Sequence, residues 1–485
     1  MDKDKGPGVP PWAAFMFGAA LWGGLSFADP ASSPPMPESG RIASAPDRFP
    51  GAPLLLTVPI TDWPHGFGPA NGPGGFASPS MRQSLLWNVA ATQLGVQSLV
   101  WAWDRAPGPS WVEDIGLWVS MGAFSYFFTY MPLGEAWLHE EWHRAVLTRR
   151  NAESHNGVYG VDIGAGLIAV DQVEDADLER IKNRHPADFV RLMGAGIEGE
   201  VEAHRMMRRN NFFLGRSSEH DRFMWWVGGL NVSYYLAACA NGWIDEEIRE
   251  MDAEETDPRV RDFTGPDFTA WVYDLRRQDE PYAASPRGRP HLPDSIGFRR
   301  YLASSDLTSG ERGYLRLQAI LSLLNFTSPQ FWGPDWLPGT LPWDRQRVLW
   351  NAGLVHHLTP FGFEVAGDLL LRRGKWSWIF TVQGFANASL GLPGLSAELF
   401  RYPYPVGRKV VYLTGSAAAW VQPKDLLFRT TDILPGGALS AGASLPLAWG
   451  LEAWAEADGK TEGWVPGSVY LDPAVQARAG LALRL

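Results

Sequence analysis

The spacing of hydrophobic positions divides the chain into two parts. In the first part, four long stretches carry few or no charged residues, namely 83–103, 115–134, 223–244 and 317–334. Each is near the length that could span a bilayer. They contain Gln, Asn, Ser, Gly and Pro throughout and little Ile or Leu, which favours helices packed in a core over membrane spans. A mean hydropathy of −0.15 for the chain agrees with core helices.

After about residue 358 the hydrophobic period changes to two, which is the period of a strand. Apolar Phe363, Val365 and Leu369 alternate with Glu364 and Asp368, and residues 376–384, 451–458 and 475–485 alternate similarly. The pattern predicts an antiparallel meander of about eight strands with one apolar and one polar face. Such a sheet packs on the helical part, or closes into a small barrel with lipid outside and a polar lumen. Between these two we expect the small barrel.

The fold class that follows is α+β, with a helical domain at 79–340 and an antiparallel β domain at 341–485. Lys3 and Lys5 precede an apolar stretch that ends in Ser26-Phe27-Ala28, which predicts a signal peptide over 1–28. An uncleaved anchor is the alternative. Residues 29–78 are expected to form a Pro- and Gly-rich linker or an extended arm, in which only 53–60 has a strand pattern. The charged stretch 245–312 is expected to be a solvated surface insertion.

The composition of the chain argues against several classes of partner and site. A net charge of −11 without clusters of Lys and Arg argues against a nucleic-acid partner. Cys239 is the single cysteine, so the chain has no internal disulfide framework and no cysteine-based zinc site.

The chemistry is indicated by His139-Glu-Glu-Trp-His143. On a helix, His139 and His143 project from one face and can reach one zinc ion, while Glu140 is placed to take a proton from water. Glu135, one turn earlier, is a candidate acceptor for a ligand, although a solvated carboxylate at the start of the helix fits as well. A catalytic zinc needs a third protein ligand.

A second predicted helix, at 186–209, offers this third ligand. One stripe of the helix is apolar except for Glu200 and His204. The opposite face is expected to be solvated and carries Arg191, Glu198, Glu202, Arg205 and Arg209. A buried carboxylate needs a partner, and a metal ion is one of few adequate partners. Glu200 is therefore the predicted third ligand. His204 could bind a ligand, steady an oxyanion, replace a ligand, or be an ordinary core histidine.

With Glu200-Val-Glu-Ala-His204 following His-Glu-x-x-His, residues 115–210 resemble the gluzincin peptidases of the CAAX prenyl protease and HtpX type. That family has Glu-x-x-Ala-Asp on its second helix, so His204 departs from the pattern. The resemblance implies a zinc cofactor, ligands at His139, His143 and Glu200, and Glu140 as the general base. The C-terminal strands resemble bacterial outer-membrane barrels, although Leu485 stands where that family usually has an aromatic residue.

Together these features predict a zinc-dependent endopeptidase of the bacterial cell envelope, in the outer membrane or periplasm, with a peptide or protein substrate and a membrane partner. Two alternatives stay open. One is an outer-membrane channel or scaffold with a structural zinc site, which requires a closed coordination shell where an enzyme requires an open groove. The other is a polytopic inner-membrane metalloprotease that uses the uncharged stretches as spans.

Overall fold

The computed structural model describes residues 54–65, 78–105, 110–160, 168–254, 261–290, 297–341 and 344–485. The predicted signal peptide and most of the predicted linker lie outside these residues. Nine α-helices and a ten-stranded antiparallel sheet make up most of the described chain, which confirms the α+β class.

The helices precede most of the sheet. They are α1 (Met81–Trp103), α2 (Ser110–Thr129), α3 (Glu135–Arg149), α4 (Asp175–Arg184), α5 (Pro186–Leu214), α6 (Arg222–Asn241), α7 (Asp245–Glu254), α8 (Asp267–Arg276) and α9 (Ser309–Ser322). The helix predicted over 186–209 is confirmed as α5, which begins at a proline and ends before Gly215. None of the described helices has the length and apolar character needed to cross a membrane.

The strands are β1 (Leu55–Trp63), β2 (His155–Asn156), β3 (Val170–Asp171), β4 (Leu337–Leu341), β5 (Asp344–Thr359), β6 (Gly362–Arg373), β7 (Trp376–Ala386), β8 (Gly391–Val406), β9 (Lys409–Pro423), β10 (Ile433–Pro446), β11 (Leu451–Lys460) and β12 (Ala474–Arg484). β2 and β3 form a separate pair. The strand predicted within the linker is present as β1, and it belongs to the large sheet because it pairs with β12.

The large sheet has the order β1-β12-β11-β10-β9-β8-β7-β6-β5-β4. β1 and β4 are its edges and do not pair with each other in the described residues. The predicted closed barrel of about eight strands is therefore wrong for this part of the chain, which forms an open sheet of ten strands. The expectation left β1 out of this sheet, because β1 is far from the other strands in sequence.

The sheet turns its polar face inward. Glu364, Asp368 and Thr381 lie against the helices, whereas Leu369 and Val382, on alternating positions, are exposed. An ordinary antiparallel sheet that covers a core has the opposite arrangement.

Helix α5 lies against the polar side of the sheet. Arg205 contacts Asp368 in a bidentate pair at 2.6 and 2.7 Å, and Arg209 reaches Glu398 at 3.2 Å. Glu198 is buried and pairs with Arg191 at 2.8 Å. The expectation that this face of α5 is solvated is therefore wrong, because the sheet lies against it and supplies partners for Arg205 and Arg209. The pairing fixes α5 between the sheet and the other helices.

Candidate metal centre

Helix α3 carries the His-Glu-x-x-His residues into the main hydrophobic core. His139 and His143 lie on the same side with ring centroids 4.8 Å apart. The rest of the helix is held by completely or almost completely buried apolar side chains, namely Trp137, Leu138, Trp142, Ala145, Val146 and Leu147. This packing orients the two imidazoles away from solvent and toward α5 and α8.

Glu141, the second glutamate of the motif, belongs to a buried hydrogen-bond network. Glu141 Oε1 accepts hydrogen bonds from Arg144 at 2.6 Å, Asn156 at 2.9 Å and Tyr159 at 3.3 Å. Arg144 also donates to the Ser154 carbonyl at 3.1 Å. This buried network joins α3 to the segment that follows it, so Glu141 anchors the helix.

Both histidines point one ring nitrogen at Asp267, the first residue of α8. His139 Nε2 lies 3.0 Å from Asp267 Oδ2, and His143 Nε2 lies 3.6 Å from the same oxygen. Each of the three side chains offers one atom that could bind a metal ion, and these atoms lie within 4.8 Å of one another. Tetrahedral zinc, with bonds of about 2.0–2.2 Å, places its ligand atoms roughly 3–3.5 Å apart. Two of the separations, at 3.0 and 3.6 Å, are close to this spacing.

The other ring nitrogen of each histidine is held by a fixed acceptor. His139 Nδ1 lies 2.7 Å from Glu200 Oε1, and His143 Nδ1 lies 2.5 Å from the Leu192 carbonyl oxygen. Metal-binding histidines usually donate this second N–H to a carboxylate or a backbone carbonyl, which fixes the tautomer with Nε2 free. His143 Nε2 is buried and has no hydrogen-bond partner within the described residues. A cation would satisfy it.

Glu200, the predicted third ligand, is placed by the structure beside His139 and outside the group of three. Asp267 joins the two histidines instead, from a segment that was expected to be a solvated surface insertion. That expectation is wrong, because α8 is buried along most of its length. The reason is its apolar periodicity, in which Phe268, Trp271, Val272 and Leu275 pack in the main core.

The electrostatics of the cluster favour positive charge among its buried carboxyl groups, which a protonated His139 or a bound cation supplies. Burial raises the pKa of Glu140 well above its usual range, and the nearby Asp267 and Asp262 carboxylates add to the rise. Burial, reinforced by Asp267, also raises the pKa of Asp262 to about 7. For His139, burial opposes protonation, but the hydrogen bonds to Asp267 and Glu200 raise its pKa well above the usual value. Buried acids in this number are costly unless positive charge offsets them.

His204 lies one helical turn beyond Glu200 and faces a different group. Its Nε2 is 4.0 Å from Glu135 Oε1, and burial lowers its pKa to about 3. Burial, with the charge of Glu200, raises the pKa of Glu135 to about 8. Glu135, Glu200 and His204 line a cavity of about 20 Å³, which is room for about one water molecule. The structure thus brings His204 to this cavity, at the edge of the candidate metal centre.

The residues present fit a zinc ion on chemical grounds. Two imidazoles and one carboxylate form a zinc ligand set, and the outer partners Glu200 and Leu192 fix the geometry.

The chain matches no protein-family model, no curated protein and no solved structure. The resemblance to the gluzincin peptidases therefore rests on the sequence motifs alone.

Close approach of α5 to the motif depends on Gly196. A Cβ atom at this position would lie 2.3 Å from His139 Nε2, whereas one at Gly194 would meet its nearest atom, Trp271 Cδ1, at 3.4 Å. We expect Gly196→Ala to displace the His139 ring and lower zinc affinity by about tenfold or more, because alanine overpacks the site. Gly194→Ala is the matched control, since it gains the same helix propensity without the clash. Equal zinc affinity in the two variants, measured by chelator competition, would contradict this reading.

Proposed function

We propose that the protein is a zinc-dependent hydrolase that cleaves peptide bonds, with zinc held by His139, His143 and Asp267. The observation that carries the proposal is the convergence of both Nε2 atoms on Asp267 Oδ2 while both Nδ1 atoms are held by acceptors. Zinc supplies Lewis acidity and lowers the pKa of a water molecule to about 7. In this scheme the helical part acts as a zincin-like domain.

The chain's own residues divide the remaining work. Glu140 takes a proton from the attacking water and returns it to the leaving amine, and its neighbours Asp267 and Asp262 make it a strong base once it is ionised. A cation at the site favours that ionised form. Glu200 and the Leu192 carbonyl hold the two imidazoles in position. The peptide substrate follows from the resemblance to the gluzincins, and the cell envelope follows from the N-terminal pattern.

A second candidate is a structural zinc site in an envelope scaffold. It is favoured by burial, because His143 is 1% exposed, Glu140 6% and Asp267 6%. The cavity beside Glu200 holds about one water molecule, which is far less than a peptide needs. Under this candidate the three side chains stabilise the contact between α3, α5 and α8, and no hydrolysis occurs.

Metal analysis of the purified full chain tests both candidates. We expect one zinc per chain in the wild type and loss of zinc in His139→Ala. The matched control is His155→Ala, since His155 also bonds a carboxylate, Asp171 at 2.9 Å, but lies outside the group of three. A peptide-library assay with and without a chelator then separates the candidates. Zinc without cleavage supports the structural site, and a wild type that binds no zinc overturns both.

A further inference from the structure

The outward face of the large sheet is apolar over many strands. Its most exposed side chains include Leu439 at 68%, Val475 at 65% and Val382 at 64%. Neighbouring strands continue the surface, because Val382 is registered with Leu395 and Leu439 with Ala417. Soluble monomers rarely expose a contiguous apolar surface of this kind, and such surfaces mark contacts with a protein or a membrane.

Helices complete this surface where the sheet is open. α1 packs on β1 and α2, α2 packs on α6, and α9 packs on both α6 and β5. These elements connect one side of the sheet to the other. The outward side chains of α2 and α9 are also apolar and exposed, namely Ile115, Trp118, Val119, Leu317 and Ile320. We name the outward face of β1 and β5–β12 together with these helix faces the outer wall.

Some backbone groups near the two edges of the sheet have side-chain partners in the helical part. On the β1 side, Trp87 of α1 donates from Nε1 to the Pro59 carbonyl oxygen at 3.1 Å. On the β5 side, the Leu354 N–H donates to Thr327 Oγ1 at 2.7 Å, and the His356 N–H donates to Asn325 Oδ1 at 2.6 Å. Hydrocarbon surroundings tolerate a sheet only when such edge groups have partners.

One end of the sheet has the composition of a membrane interface. The β6–β7, β8–β9 and β10–β11 turns lie at this end, which we name the turn end. Its exposed residues include Lys375, Arg408 and Lys409, and Trp449 is 97% exposed. Aromatic residues favour the level of lipid headgroups, and basic residues there attract anionic lipids.

We propose that the outer wall contacts the acyl chains of a phospholipid bilayer, with the turn end at the level of anionic headgroups. β8, with 16 residues, and β9, with 15, exceed the 9–11 residues that a strand needs to cross a bilayer. The inward charges of the sheet have partners inside the protein: Asp368 and Glu398 pair with arginines of α5, and Glu452 pairs with Arg401 of the sheet itself. This proposal is independent of the zinc chemistry.

Site-directed fluorescence on the full chain tests the contact. A cysteine-reactive polarity-sensitive dye is placed at Leu439→Cys or Val382→Cys in a Cys239→Ala background, and at Glu250→Cys in α7 as an exposed control outside the outer wall. With phosphatidylglycerol–phosphatidylcholine vesicles, we expect a blue shift and quenching by spin-labelled lipid at Leu439 and Val382 and neither effect at Glu250. A blue shift that grows with protein concentration and is not quenched by spin-labelled lipid would assign the surface to a second copy of the chain. That result, or no change at any position, overturns the proposal.

A charge-reversal pair tests the orientation. Lys375→Glu with Arg408→Glu alters the turn end, while Lys424→Glu with Arg429→Glu makes the same change of charge at the opposite end of the sheet. We expect the first pair to weaken binding to phosphatidylglycerol vesicles by at least about tenfold and the second to have a much smaller effect. An equal loss in the two pairs would overturn the assignment of the turn end.

Discussion

Replacing Glu140 with glutamine is expected to leave one zinc bound per chain and to lower the rate of peptide hydrolysis by about 10²–10⁴-fold. Glutamine keeps the shape of the side chain but cannot accept the proton, and general-base catalysis contributes an effect of about this size. The Glu140 carboxylate lies outside the set of three side chains that could hold the metal, so zinc content should not change. Zinc analysis and initial rates on the same preparation measure the two effects separately.

The neighbouring glutamate provides the control. Glu141→Gln disrupts the network with Arg144, Asn156 and Tyr159, and loss of a buried ion pair typically costs about 3–5 kcal/mol in the free energy of unfolding. We expect it to lower stability while the folded fraction keeps its rate. Unchanged hydrolysis in Glu140→Gln would contradict the assignment of the base.

Asp267→Asn is expected to remove zinc binding, and Glu200→Gln is expected to weaken it by about 10–100-fold. The first change removes a ligand from the group of three, whereas the second weakens the acceptor that holds His139 Nδ1. Loss of such an outer partner typically costs that factor in affinity. Zinc affinities by chelator competition, with circular dichroism to establish that each variant folds, give the order.

The opposite order of affinities would identify Glu200 as the third ligand, as the sequence predicts. In that case Asp267 would be the outer partner, and the proposed coordination would need revision while the zinc site itself would stand. A zinc affinity unchanged in both variants would place the metal elsewhere in the chain.

Sequence alone was sufficient for the helices and strands with strong local signals. The two-residue period of β6, β7 and β12 and the proline at the start of α5 are local features, and each predicted its element. Local sequence features did not determine which face of the sheet turns toward the helices. The alternation of Leu369 with Asp368 is compatible with either face turned inward. The polar face turns inward because Arg205 of α5, which is distant in sequence, pairs with Asp368.

The sequence predicted only part of the candidate site, again because one of its residues is distant along the chain. His139 and His143 are linked by helical spacing, but Asp267 lies 128 residues from His139 and shares no motif with it. A signal was present: Pro266 followed by Asp267 fits the start of a helix, and Phe268, Trp271, Val272 and Leu275 have the spacing of a buried helical face. The flanking charged residues concealed this short pattern. Glu200 was correctly placed on a buried stripe, since a carboxylate on an apolar face needed a partner and found one in His139.

The pairing of β1 with β12 sets an order of events during biosynthesis. β1 is made early, whereas its partner on the sheet is among the last segments of the described chain to leave the ribosome. Until then, the hydrogen-bonding edge of β1 that β12 later covers has no native partner strand, and unpaired edges promote misassembly. Contacts so distant in sequence also slow folding. The contact between β1 and β12 therefore forms only after all the strands between them have been synthesised.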